Sequence, residues 1–251
     1  MQDFKKLDHY LRKEIDGVAG YLTTLDAETI ASLGKFQTMN NIKGDLCEMG
    51  VHHGRLFFIL CHLRQPSEKA LPIDLFADGA GNDNDTHRNR DKMFFKHSDR
   101  MGIKVDDVVI GNTLELKIDD ILKHIGKTRI VSVDAGHLYD DVDNDLKLAA
   151  GILSDDGVII ADDYFNMYWP DVTTATNDFL RHNERDFAPF LITGKLYICR
   201  RDKLPLYRKF AEQIQRTPYV TSRLVDLNKE KIVAARMSRR GELKRKVRKW
   251  F

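Results

Sequence analysis

Residues 128–164, TRIVSVDAGHLYDDVDNDLKLAAGILSDDGVIIADDY, constrain the fold more than any other stretch of the chain. Two apolar runs, 129–133 and 157–161, flank one amphipathic helix over 139–153. Strand, helix and strand in that order make a βαβ unit, which lays the strands parallel in a sheet covered on both faces. Each strand runs straight into carboxylates: Asp134 follows the first, Asp162 and Asp163 the second. Ligands of an open parallel sheet bind beyond the carboxyl ends of its strands. Three acids therefore converge on the edge where chemistry is expected.

An aspartate after a strand is often only a helix cap or a turn residue. Three of them at neighbouring strand ends ask for more, because like charges that meet must be neutralised. A divalent cation does this, and all-oxygen ligands suit Mg2+, Mn2+ or Ca2+ rather than zinc. His137 lies three residues past Asp134. Histidine is the side chain that changes charge near neutral pH, and here it would stand close to any metal-bound oxygen. A loop histidine can equally be a plain surface group.

The 251 residues are enough for one large α/β domain. A formal net charge of +2 gives no global basic field, so nucleic acid is not an expected partner. The polar start MQDFKKLDHYLRKEI does not read as a signal peptide, and no apolar run approaches the ~18 residues of a spanning helix. Cys47, Cys61 and Cys199 lie in apolar contexts and read as reduced core thiols, which points to a cytoplasmic protein.

Taken in order, apolar spacing predicts helices over 3–15 and 26–39, the second with Asp26 as N-cap. They are expected to pack on the sheet, or to form a lid or an oligomer face. A strand over 45–49 then leads into the glycine turn 50–54 and a helix from 55 to 63. The E-x-G-x-x-x-G pattern of Glu48, Gly50 and Gly54 is not the fingerprint of a pyrophosphate binder, which disfavours a nicotinamide oxidoreductase. Gly50 would let a ligand approach the backbone closely. The strand 71–76 carries Asp74 near its end, where adenosine-binding sheets hold ribose hydroxyls; Asp78 competes for that role. The polar loop 77–91 reads as a substrate loop or a mobile connection. A helix at 90–101 and a strand at 105–110 lead to Asn112 and Thr113, placed to face an adenine or to stabilise a turn.

Past Asp163, the aromatics Tyr164, Phe165, Tyr168 and Trp169 could line an acceptor pocket or join the core. Helix 171–183 and a hairpin over 189–201, one strand reversed, complete the sheet. The remainder, 202–251, reads as a helical basic extension. Its end, ARMSRRGELKRKVRKWF, could touch an anionic membrane surface or a polyanion. Three divisions result: N-terminal helices 1–43, a catalytic domain 44–201 and the extension 202–251.

The order of elements, the EMGVHHG turn and the acid of the second strand resemble class I S-adenosylmethionine-dependent methyltransferases. The segments VDAGHLYDDVDNDL, GILSDDGVIIADDY and WPDVTTATNDFL are most similar to the macrocin and mycinamicin sugar O-methyltransferases, which are related to the cephalosporin-biosynthesis methyltransferases. That resemblance implies a Rossmann-like, mostly parallel seven-stranded sheet with helices on both faces and an antiparallel last strand. It implies S-adenosylmethionine held by Glu48, Gly50, Gly54, Asp74, Asn112, Thr113 and Asp134. It implies Mg2+ (or Mn2+) bound by Asp134, Asp162 and Asp163, with His137 as base. The family often has Glu-Asp where this chain has Asp162-Asp163, so the first arm is shorter here. The expected reaction is metal-dependent methyl transfer to a hydroxyl of a sugar or glycan, by a homo-oligomer in the cytoplasm with peripheral contact at the inner membrane. Alternatives are a metal-independent small-molecule methyltransferase, whose acids only cap helices and hold cofactor, and a non-catalytic membrane- or polyanion-binding protein on the same fold. A nucleic-acid methyltransferase acting on an amine would carry a proline pair where this chain has ADDYF.

Overall fold

Every residue of Thr128–Val133 is buried, as a strand covered on both faces requires. The computed structural model describes residues 3–76, 89–239 and 241. Around the central strand stands one mixed sheet of nine strands in the order β3-β2-β1-β4-β5-β7-β6-β9-β8. The strands are β1 Asp45–Met49, β2 Ala70–Asp74, β3 Val109–Ile110, β4 Thr128–Val133, β5 Leu153–Ala161, β6 Phe187–Ile192, β7 Leu196–Arg200, β8 Val220–Leu227 and β9 Glu230–Met237. β1 to β5 are mutually parallel, and β7 runs antiparallel to β5. The expected architecture is present, with one strand pair beyond the seven.

Side-chain alternation splits the core in two. Leu46, Ile130, Val158 and Ile160 face one layer, Cys47, Val131, Val133 and Ile159 the other. On the first face lie α1 Lys5–His9, α2 Thr24–Met39, α3 Phe57–Leu63, Phe94 of α4 Arg90–Met101, and α8 Leu204–Gln215. On the second lie α5 Ile118–Leu122, α6 Tyr139–Ile152 and α7 Pro170–His182. The three cysteines are free and buried.

Several local expectations are corrected. The segment 3–15 is not one helix: α1 passes into a π-helical turn at Tyr10–Glu14 and a 3-10 turn at Ile15–Gly17. Thr23, not Asp26, caps α2, its hydroxyl accepting the Asp26 amide at 3.2 Å. The largest difference lies in 202–251, which is not helical throughout. After α8 the chain forms the β8–β9 hairpin, and β9 pairs parallel with β6 through Leu191 and Val233. Its two-residue turn, Asn228 and Lys229, has φ of 48° and 65°, the left-handed pair that a tight hairpin demands. The basic segment 242–251 and Asp78 lie outside the described residues. No helix among the described residues is long and apolar enough to cross a membrane.

Candidate active site

Backbone amides carry the ladder one residue past the strands. Gly50 N–H donates to the Ile73 carbonyl (2.8 Å), Asp134 N–H to Met49 (2.8 Å) and Asp162 N–H to Val133 (3.0 Å). The residues that follow β1, β4 and β5 are thereby held in one row. The chain runs outward from β1 to β3 and then returns to β4 on the other side of β1. A ligand crevice opens at such a reversal of strand order.

At that crevice Gly50 has φ +84°, and a Cβ there would overlap the Asp134 carbonyl. Gly50→Ala should therefore push the β1 turn away from β4 and weaken binding of the expected cofactor, S-adenosylmethionine, tenfold or more. Calorimetry measures this, and retained affinity would show that the turn yields without cost.

The other expected cofactor residues fall into distinct settings. Asp74 accepts the amides of Val51 (2.6 Å) and His52 (2.8 Å) on Oδ2, and that of Phe76 (2.7 Å) on Oδ1. Its carboxylate shapes the glycine turn, while its remaining lone pairs can still accept from a ligand. Gly54 has φ +91° and abuts the rings of Phe58 and Phe94, so packing accounts for it. Asn112 accepts the Leu114 amide at 3.0 Å, and buried Thr113 gives its carbonyl to the Asn144 side chain at 2.8 Å. Of the two readings of this pair, turn stabilisation is realised in these contacts. Glu48 is buried, and burial first, then Asp74 and Asp162, pushes its carboxyl well above the usual range, with Lys195 opposing.

Beneath the same region, Asp145 of α6 is fully buried, and burial raises its carboxyl from the ordinary 3.8 to about 6, against the lowering effect of Thr113 and Asn144. A raised carboxylate favours folding while protonated, so this contribution fades as pH climbs from about 4 through 6. Asp145→Asn should match wild type near pH 4 and be more stable by about 2 kcal/mol at pH 8. Chemical melts at the two pH values check the sign.

The three strand-end acids take different partners. Asp134, His137 and Asp163 each offer a ligand atom, all within 4.8 Å of one another. His137 Nε2 stands 3.1 Å from Asp163 Oδ2, and its ring stacks on Trp169 at 4.5 Å between centroids. Asp163 is held in a left-handed conformation, φ 51°, with its Oδ1 accepting from Asn166 at 2.8 Å. Asp162 does not join this group. Its Oδ2 is ion-paired with Lys195, and its Oδ1 accepts the Asp163 amide at 2.7 Å. Burial alone would raise Asp162, but Lys195 and a hydrogen bond with Asp134 bring it down to about 2. Asp134 moves the other way, raised by burial and by Asp162.

The carboxylates of Asp134 and Asp163 suit Mg2+ or Mn2+, whereas an imidazole ligand suits softer ions. The donor group differs from the expected set in having His137 where Asp162 was placed. Lys195, the ion partner of Asp162, belongs to no motif of the sequence. The available signal was its position as the one charged residue of PFLITGKLYIC, 189–199. Of the aromatics, Tyr164 is buried with its hydroxyl on Asn177, whereas Phe165, Met167 and Tyr168 are exposed beside the site.

A family model described as a methyltransferase domain matches residues 47–164. No curated protein matches the chain in sequence. Among solved structures, the O-methyltransferase NovP is 19% identical over 71% of this chain and 80% of its own, with a TM-score of 0.52. A TDP-rhamnose 3'-O-methyltransferase of calicheamicin biosynthesis is 16% identical over 79% of this chain and 92% of its own, with a TM-score of 0.48. The likeness to NovP shows the fold, and the matched family spans the crevice from β1 to Tyr164. Residues 47–164 thus match the model of a methyltransferase domain, and the chain has the Rossmann-like fold of the O-methyltransferase NovP.

Proposed function

We propose that this chain moves a methyl group from S-adenosylmethionine to a hydroxyl of a sugar or glycan, and that a divalent ion assists. The reading rests on one observation: Asp134, His137 and Asp163 meet at the carboxyl edge, next to the β1–β4 crevice. A sugar hydroxyl stays protonated at neutral pH and is a weak nucleophile until its proton leaves. His137 is placed to take that proton, and Asp163 holds its imidazole as a carboxylate orients a general base. The crevice turns a bimolecular encounter into an oriented one, with no covalent intermediate. Exposed Phe165 and Tyr168 offer the apolar face that a sugar ring stacks on. The NovP and rhamnose methyltransferase structures carry O-methyltransferase names, and the second acts on a sugar nucleotide.

Asp134 and Asp163 would hold Mg2+ or Mn2+ with His137 at its edge. A bound ion lowers the pKa of a coordinated hydroxyl and fixes its position. The test is transfer of labelled methyl from S-adenosylmethionine to a panel of nucleotide sugars and glycans, with and without EDTA. Labelled ether product that disappears in EDTA and returns with Mg2+ is the expected result. A second reading is favoured by Lys195, which already supplies a cation to Asp162: the His137–Asp163 pair acts as a base without metal. Turnover unchanged in excess EDTA would select it.

A further inference from the structure

The most unusual side chain near the site is a buried lysine. Lys195 follows the tight turn between β6 and β7, yet only 3% of it is exposed. Its ammonium contacts Asp162, with Asp134 and Asp26 as further electrostatic neighbours. A buried lysine needs such partners, since taking an unpaired ammonium out of water costs several kcal/mol.

The turn that delivers Lys195 is itself tied down. Asp26, in the first turn of α2, accepts from the Thr193 hydroxyl and from the Gly194 amide (2.9 Å) through Oδ1. Thr23 donates to its other oxygen. At residue 194 a Cβ would stand 2.5 Å from that second oxygen, so the turn has been brought against α2 as closely as glycine permits. A contact spanning 168 residues of sequence thus sets where the Lys195 ammonium goes.

We infer that Lys195, latched by Asp26, is a positioning residue that withdraws Asp162 from the ligand set and leaves Asp134 and Asp163 as the oxygen donors beside His137. One ammonium occupies the place between strand ends β4 and β5 that a second-row carboxylate would otherwise offer to an ion. The inference deepens the proposed function and concerns the same edge, but it addresses which side chains can hold an ion, not whether methyl transfer occurs. It also gives residues 3–43 a part in the site: α2 acts on it through the hairpin turn.

Calorimetric binding of Mn2+ to the full chain tests this, with wild type, Lys195→Met and Lys195→Arg compared in the same buffer. Removing the ammonium frees Asp162 to join Asp134 and Asp163, so Lys195→Met should bind Mn2+ at least tenfold more tightly than wild type. Lys195→Arg restores the cation and should return to the wild-type value. A purely structural lysine would move the melting temperature without tightening ion binding. Equal or weaker Mn2+ affinity in Lys195→Met overturns the inference. Should that variant not melt cooperatively, Asp26→Asn loosens the latch while leaving the ammonium in place, and an affinity no tighter than wild type overturns it equally. S-adenosylmethionine binding and methyl transfer are measured separately on wild type, so a failure of the proposed reaction registers there and not in the Mn2+ isotherms.

Discussion

Replacing His137 by alanine is expected to lower kcat by about 10²- to 10⁴-fold, the range a positioned general base contributes. Affinity for S-adenosylmethionine should stay within about twofold, because the glycine turn and Asp74 that frame the crevice do not touch His137. The imidazole is fixed on two sides, by Asp163 at 3.1 Å and by the Trp169 ring at 4.5 Å. Its removal therefore takes away a group in a defined place. Asp163→Asn, which keeps the shape and removes the charge, should also lower kcat, because it takes away an ion ligand as well as the carboxylate that orients the base. Rate and binding measured on the same acceptor separate the two effects. A kcat near wild type for His137→Ala would remove the base from the mechanism.

The second large effect lies at the opposite edge of the sheet and concerns stability. Arg129, the second residue of β4, is fully buried. Its guanidinium donates to both oxygens of Glu68 (3.0 and 2.9 Å), to Gln37 Oε1 (2.9 Å) and to the Leu63 carbonyl (2.8 Å). Gln37 in turn donates to the Arg129 carbonyl and to Tyr207, which joins α2, β4 and α8 in one network. Arg129→Ala leaves Glu68 buried with no counter-charge, and should cost about 3–5 kcal/mol. Arg129→Met combined with Glu68→Met removes both charges and should recover much of that loss, because paired desolvation disappears together. Urea melts of the single and double variants give the coupling directly. A single variant within about 1 kcal/mol of wild type would mean that water reaches Glu68.

What the sequence revealed and what it hid follow a physical division. The βαβ unit was legible because its strands carry the apolar runs 130–131 and 158–161 and its helix repeats with a period of 3.6. The carboxylates at β4 and β5 were legible because they sit at the one end of a parallel strand where topology gathers side chains. The partner of Asp162 was not. Lys195 reaches it from a hairpin 33 residues downstream, and the burial of a lysine depends on neighbours that no local pattern encodes. Asp26 departs from its local pattern for the same reason. Near a helix start an aspartate suits a cap, but Thr23 takes that place and frees the Asp26 carboxylate for the β6–β7 turn. The β8–β9 hairpin escaped notice because an edge strand with one solvated face, TSRLVDL, keeps charges among its apolar residues. Its turn residues, Asn228 and Lys229, were the available clue.

The stack of His137 on Trp169 gives the protein an optical reporter. Indole emission responds to what lies against the ring, and an imidazolium quenches it more strongly than a neutral imidazole. The other tryptophan is Trp250, near the chain end. With Trp250 changed to phenylalanine, fluorescence intensity would follow the arrival of an acceptor beside the His137–Trp169 stack in real time, without a labelled substrate.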